Sequence, residues 1–228
     1  MKHEFLDRPD YGMALITFET SGESIVAESG AMVARDTGIQ MKTNMRGGLA
    51  SALKRKVLGG ESLFLNTFTA TAPGQKLYLA PAPEGDMQAF NLEAGRELIM
   101  QSGAYVASGT GVTVDTKWAG FKGFLSGEGL FFLRCYGEGD LLFNTYGGLH
   151  TVELDGTQRY IVDTSHVVAF TEGLDFKISR VGGLKSLFLS GEGLVCEFNG
   201  RGTLWVQTRD PGSLASFLHP FRPVKRKD

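Results

Sequence analysis

Gly182-Gly183-Leu184-Lys185, followed by Leu189-Ser190-Gly191-Glu192-Gly193-Leu194, is the stretch that decides the fold, because it is written three times. Ala119-Gly120-Phe121-Lys122 precedes Leu125-Ser126-Gly127-Glu128-Gly129-Leu130, and Gly47-Gly48-Leu49 precedes Leu58-Gly59-Gly60-Glu61-Ser62-Leu63. Working outward, the flanking glycines keep the same rhythm. Gly22, Gly30 and Gly38 stand eight residues apart, as do Gly95, Gly103 and Gly111; Gly156, Ser165 and Gly173 stand nine and eight apart. A further turn follows each motif, at Gly74, at Gly137 and Gly139, and at Gly200 and Gly202. Ordered blocks recurring in register identify internal repeats, which fix architecture before any single element does. The copies run over about 14–80, 88–146 and 150–209, in one three-repeat domain spanning 1–228.

Inside each copy the apolar residues alternate. Ile16-Thr17-Phe18, Phe90-Asn91-Leu92 and Val152-Glu153-Leu154 have period two, and so do Ile39-Gln40-Met41, Val112-Thr113-Val114 and Phe176-Lys177-Ile178. That pattern gives strands with one buried face. Turn signals every 8–12 residues suit sandwiches and barrels. Glycine supplies 31 of the 228 residues, roughly twice ordinary usage. If φ is positive at Gly30 and Gly103, valine at either should destabilise the fold. The expected fold is all-β: three tandem pseudo-repeats of small β-sandwich or double-stranded β-helix-like units around a pseudo-threefold axis. One or two short helices are expected, over Leu49–Leu58 and over Ser213–Leu218 behind an Asp210 cap and Pro211, before a basic tail within 210–228.

These motifs resemble the altered-inheritance-of-mitochondria, or mitochondrial biogenesis, family. The resemblance runs from about Ala14 to Phe221. It implies a three-repeat all-β fold similar to the tryptophan RNA-binding attenuation protein. For eukaryotic members it implies mitochondrial biogenesis or inner-membrane organisation. It brings no established catalytic residue. Met1 to Asp10 carries Glu4, Asp7 and Asp10 and reads as neither signal nor transit peptide, so a bacterial-type cytoplasmic member is expected.

The chemistry-bearing residues form no known motif. His3, His150, His166 and His219 lack metal-ligand spacing, and Cys135 and Cys196 are too few for a disulfide framework. Glu61, Glu128 and Glu192 recur between glycines, where a turn explains them and a shared cation site is the alternative. No catalytic residue, metal or cofactor is expected. No apolar run reaches the roughly 18 residues of a membrane helix. The formal net charge of −2 gives no global attraction to nucleic acid. One local basic cluster, Lys42, Arg46, Lys54, Arg55 and Lys56, is the tentative contact surface. The reading is a non-catalytic binding or scaffold protein, acting through a protein partner or self-association. The alternatives are RNA or nucleotide binding through 42–56 and peripheral association with anionic lipid.

Overall fold

The computed structural model describes residues 1–44, 65–115, 132–180 and 194–222. The chain is mostly strand, in the order β1 (Lys2–Leu6), β2 (Met13–Thr17), β3 (Ser24–Glu28), β4 (Met32–Arg35), β5 (Gln40–Asn44), β6 (Leu65–Thr69) and β7 (Lys76–Leu79). Then come β8 (Met87–Leu92), β9 (Glu97–Gln101), β10 (Tyr105–Gly109), β11 (Val112–Asp115), β12 (Phe132–Gly137) and β13 (Gly139–Asn144). The last are β14 (Leu149–Asp155), β15 (Tyr160–Asp163), β16 (Val167–Thr171), β17 (Leu174–Arg180) and β18 (Leu194–Gln207). One α-helix among the described residues, α1 (Pro211–Leu218), follows. The all-β class expected from period-two alternation is present.

Each copy uses the same strand order. Copy one is β2–β7 and copy two is β8–β13. In copy three the single long strand β18 takes the place of the fifth and sixth strands. The second, fifth and fourth strands of a copy pair in one half-sheet; the first, sixth and third pair in the other. In copy one both half-sheets supply the same core, with Ile25, Ala27 and Phe68 from one and Ala14, Ile16, Leu77 and Leu79 from the other. β1 adds to the outer side of β2. The third strand is bulged in every copy, at Val33, Val106 and Val168.

The copies are joined by sheet continuity. The second strand of one copy pairs antiparallel with the third strand of the next: β3 with β10, and β9 with β16. The two joints have the same register. Ala107, Ser108 and Gly109 oppose Ala27, Val26 and Ile25; Ala169, Phe170 and Thr171 oppose Met100, Ile99 and Leu98. Aromatic packing reinforces the second joint, where Phe132 of copy two meets Phe170 and Phe176 of copy three.

The glycine expectation divides. Gly30 has φ +97°, a conformation costly for any residue with a Cβ, whereas Gly103 lies in a 3-10 turn over Ser102–Ala104 and its φ is not positive. The conditional destabilisation therefore applies to Gly30 alone. The helix expected over Leu49–Leu58 lies outside the described residues, as do Glu61, Glu128 and Glu192. The C-terminal helix is present. Both Asp210 carboxylate oxygens accept backbone N–H bonds, from Gly212 at 3.0 Å and Ser213 at 2.7 Å, and Pro211 opens the first turn.

Candidate interaction surface

Of the basic cluster, only Lys42 is described. It is exposed on β5, opposite Thr67. Arg46, Lys54, Arg55 and Lys56 lie outside the described residues. They fall in the chain between β5 and β6, and the other two copies of the repeated motif fall between β11 and β12 and between β17 and β18.

Among the described residues, Cys135, Cys196, His166 and Asp86 are engaged within the fold. Cys135 and Cys196 are free and buried, and burial pushes both thiols up to about 12. A thiol that stays protonated at neutral pH is a poor nucleophile and metal ligand. His166 donates from Nδ1 to the Gln207 carbonyl at 2.7 Å, and Gln207 in turn donates to Ser165 O and accepts from Tyr146 N. Asp86 is buried, held by Arg8 Nε at 2.5 Å and Nη2 at 2.9 Å. That bidentate bond raises the Arg8 guanidinium above its usual value and ties the β1–β2 turn to the start of copy two. Among the described residues no three of His, Cys, Asp and Glu are placed to hold a metal ion.

The exposed apolar residues point elsewhere. Eight of the eleven large hydrophobics exposed among the described residues lie in three places: Met32 and Val33 on β4, Tyr160 and Ile161 on β15, and Leu214, Phe217, Leu218 and Phe221 in and after α1. None of the residues of α1 is buried, and the Phe221 ring packs against Phe217 at 5.8 Å.

β4 and β15 are exposed for a topological reason. β4 is the third strand of copy one, and among the described residues no second strand of another copy pairs with it. β15 is the second strand of copy three, and among the described residues no third strand of another copy pairs with it. Among the described residues each pairs on one side only, β4 with β7 and β15 with β18. Residue type does not explain their exposure. Val-Ala occurs at 33–34, 106–107 and 168–169. Val106 and Val168 are 0% exposed, yet Val33 is 57% exposed. Val26, Ile99 and Ile161 are likewise equivalent, yet Ile99 is 6% exposed and Ile161 is 61% exposed.

The joints also show what the ends lack. Val106 and Ala107 of copy two complete the core of copy one, and Val168 and Ala169 of copy three complete that of copy two. Among the described residues the third core receives no Val-Ala pair. In return, Val26 of copy one packs on the second core and Ile99 of copy two enters the third. Among the described residues no second strand of another copy does this for the first core, on which Met1, Phe5 and Ala89 pack instead. Each missing aliphatic burial is worth about 1.5–3 kcal/mol where it is made. Sequence reasoning missed this surface, because the Val-Ala pair reads alike in all three copies.

The comparisons agree with this architecture. Residues 3–209 match the Mitochondrial biogenesis AIM24 family. A protein of Streptococcus pyogenes serotype M6, described as uncharacterised, is 29% identical over 211 residues, covering 89% of this chain and 84% of its own. A Streptococcus pyogenes protein known from its X-ray crystal structure is similar with a TM-score of 0.81 and 26% identity, over 97% of this chain and 99% of that one. No helix among the described residues is long and apolar enough to cross a membrane. A family match across nearly the whole chain, carried by all three copies, places this chain in the mitochondrial biogenesis AIM24 family.

Proposed function

We propose that this chain is a non-catalytic binding or scaffold protein of the cytoplasm, one three-copy domain that works through protein contacts at its open sheet edges. One observation carries the reading. Strands buried at the inner joints are exposed at β4 and β15, where among the described residues one edge of each has no strand partner and both carry apolar side chains. An unpaired edge is a template for strand addition by another chain. Two buried thiols with no disulfide support a reducing compartment.

A photo-crosslinking amino acid placed singly at Val33, Ile161 and Lys42 tests it in cells. Protein adducts from Val33 and Ile161 support protein contact at the edges. Adducts to RNA or lipid from Lys42, with none to protein from either edge, would overturn it. That outcome would favour contact through 42–56, where Lys54→Ala/Arg55→Ala/Lys56→Ala should then reduce retention on RNA or anionic vesicles several-fold, the more so at low salt.

A further inference from the structure

We propose that α1 and the turn behind it are a contact site for an anionic lipid surface. Leu214, Phe217, Leu218 and Phe221 enter the bilayer interface, and the cations of residues 222–228 pair with its headgroups. The site uses no residue of β4 or β15 and is independent of the reading of the sheet edges.

The apolar face comes first. Leu214, Phe217, Leu218 and Phe221 stand at i, i+3, i+4 and i+7, the spacing of one helical stripe. They are 40%, 67%, 50% and 74% exposed. The stripe continues past the helix, because a 3-10 turn over His219–Phe221 keeps the Phe221 ring 5.8 Å from that of Phe217. Gly212, Ser213, Ser216 and His219 fall on the opposite side of the helical wheel. An eight-residue helix is marginal in water unless its apolar face is covered. The Asp210 cap fixes the start of this one, but no residue of it is buried in the fold.

Charge selects the cover. Arg209 before the cap and Arg222 after the last turn are both exposed. Of the seven residues 222–228, four are Lys or Arg and one is acidic, in a chain whose net charge is −2. The positive charge is therefore local to the apolar stripe. Each cation held near an anionic bilayer raises partitioning by about fivefold. A short amphipathic helix rich in Phe and Leu beside a basic stretch is the composition that lies in a lipid interface. A nucleic acid backbone would use the cations but leave the aliphatic side chains in water. A protein groove would cover the stripe without needing the cations.

Flotation of the purified full-length chain with vesicles tests the site. The chain should float with phosphatidylglycerol and phosphatidylcholine mixed in equal parts, and stay behind with phosphatidylcholine alone. Raising salt should weaken the binding, since exposed charges are screened. Phe217→Ser/Phe221→Ser and Lys225→Gln/Arg226→Gln/Lys227→Gln should each lower the bound fraction on the order of tenfold or more, with the melting temperature unchanged. Absence of wild type from the anionic vesicles would overturn the proposal, whatever else the chain binds. Binding that survives both variants but is lost in Lys54→Ala/Arg55→Ala/Lys56→Ala would also overturn it, and would move lipid contact to 42–56. Loss of a captured protein in the Phe217→Ser/Phe221→Ser variant, with no flotation of wild type, would assign the stripe to a protein groove instead.

A second measurement reads orientation. The native thiols are buried, so an environment-sensitive fluorophore can be attached singly at Leu218→Cys or at Ser216→Cys. Emission should shift to the blue on adding anionic vesicles for the label at 218 and stay unchanged for the label at 216. Equal shifts at both positions, or none at 218, would show that the stripe does not enter the bilayer.

Discussion

The two thiols are the residues most open to direct test. Cys135 and Cys196 are buried, and burial holds both at about 12 against an ordinary value near 9. Raised thiols favour the native state while they remain protonated. Their contribution is therefore complete below the unfolded value and is lost as pH rises from about 8.5 toward 12. Native protein should not react with a thiol-specific disulfide reagent, and two thiols should appear on denaturation. The urea midpoint should fall above neutral pH more steeply in wild type than in Cys135→Ala/Cys196→Ala. Equal slopes, or fast native labelling, contradict the burial. Gly30 and Gly103 form a second pair. Gly30→Val forces a β-branched residue to positive φ and should cost about 1–3 kcal/mol. Gly103→Val enters open space at ordinary φ and should stay within about 0.5 kcal/mol. The equal spacing of these glycines was legible in the sequence. Their φ values were not, because a turn can be made with positive φ or as a short 3-10 bend, and spacing alone does not choose.

At the scale of elements, α1 behaves as an appendage. Burial pushes the Asp210 carboxyl up, but the bonds from the Ser213 and Gly212 N–H groups outweigh it and hold the group below its usual value. The cap is therefore present above the usual carboxylate range and is lost as pH falls through that lowered value. Asp210→Ala should cost the helix about 1 kcal/mol. None of α1 is buried, so the loss should appear as faster amide exchange over Ser213–Leu218, with the melting temperature unchanged. A lowered melting temperature would mean that the helix packs on the β-structure. Asp210-Pro211 announced this helix in the sequence because capping is local chemistry. The strand joints gave no comparable signal. They pair main chain with main chain, and the side chains of β4 read like those of β10 and β16.

For the whole molecule, continuity matters more than repetition. The copies look separable in sequence, but β3–β10 and β9–β16 run sheets across both boundaries, and each core draws residues from its neighbours. Unfolding should be one cooperative transition, with an enthalpy on the order of 160 kcal/mol for a chain this long. Two or three separate calorimetric transitions would show that the copies fold alone. Three copies were legible because turns and alternating strands recur in register. The open ends were legible only in structure, since exposure there is set by position in the series and not by composition. The joints also carry a consequence for synthesis. β3 leaves the ribosome complete, but its partner β10 does not exist until the chain from Glu28 to Tyr105 has been made. At about 5–20 residues per second that interval lasts several seconds. Throughout it copy one shows both of its joining strands to neighbouring nascent chains, and only the arrival of copy two withdraws one of them.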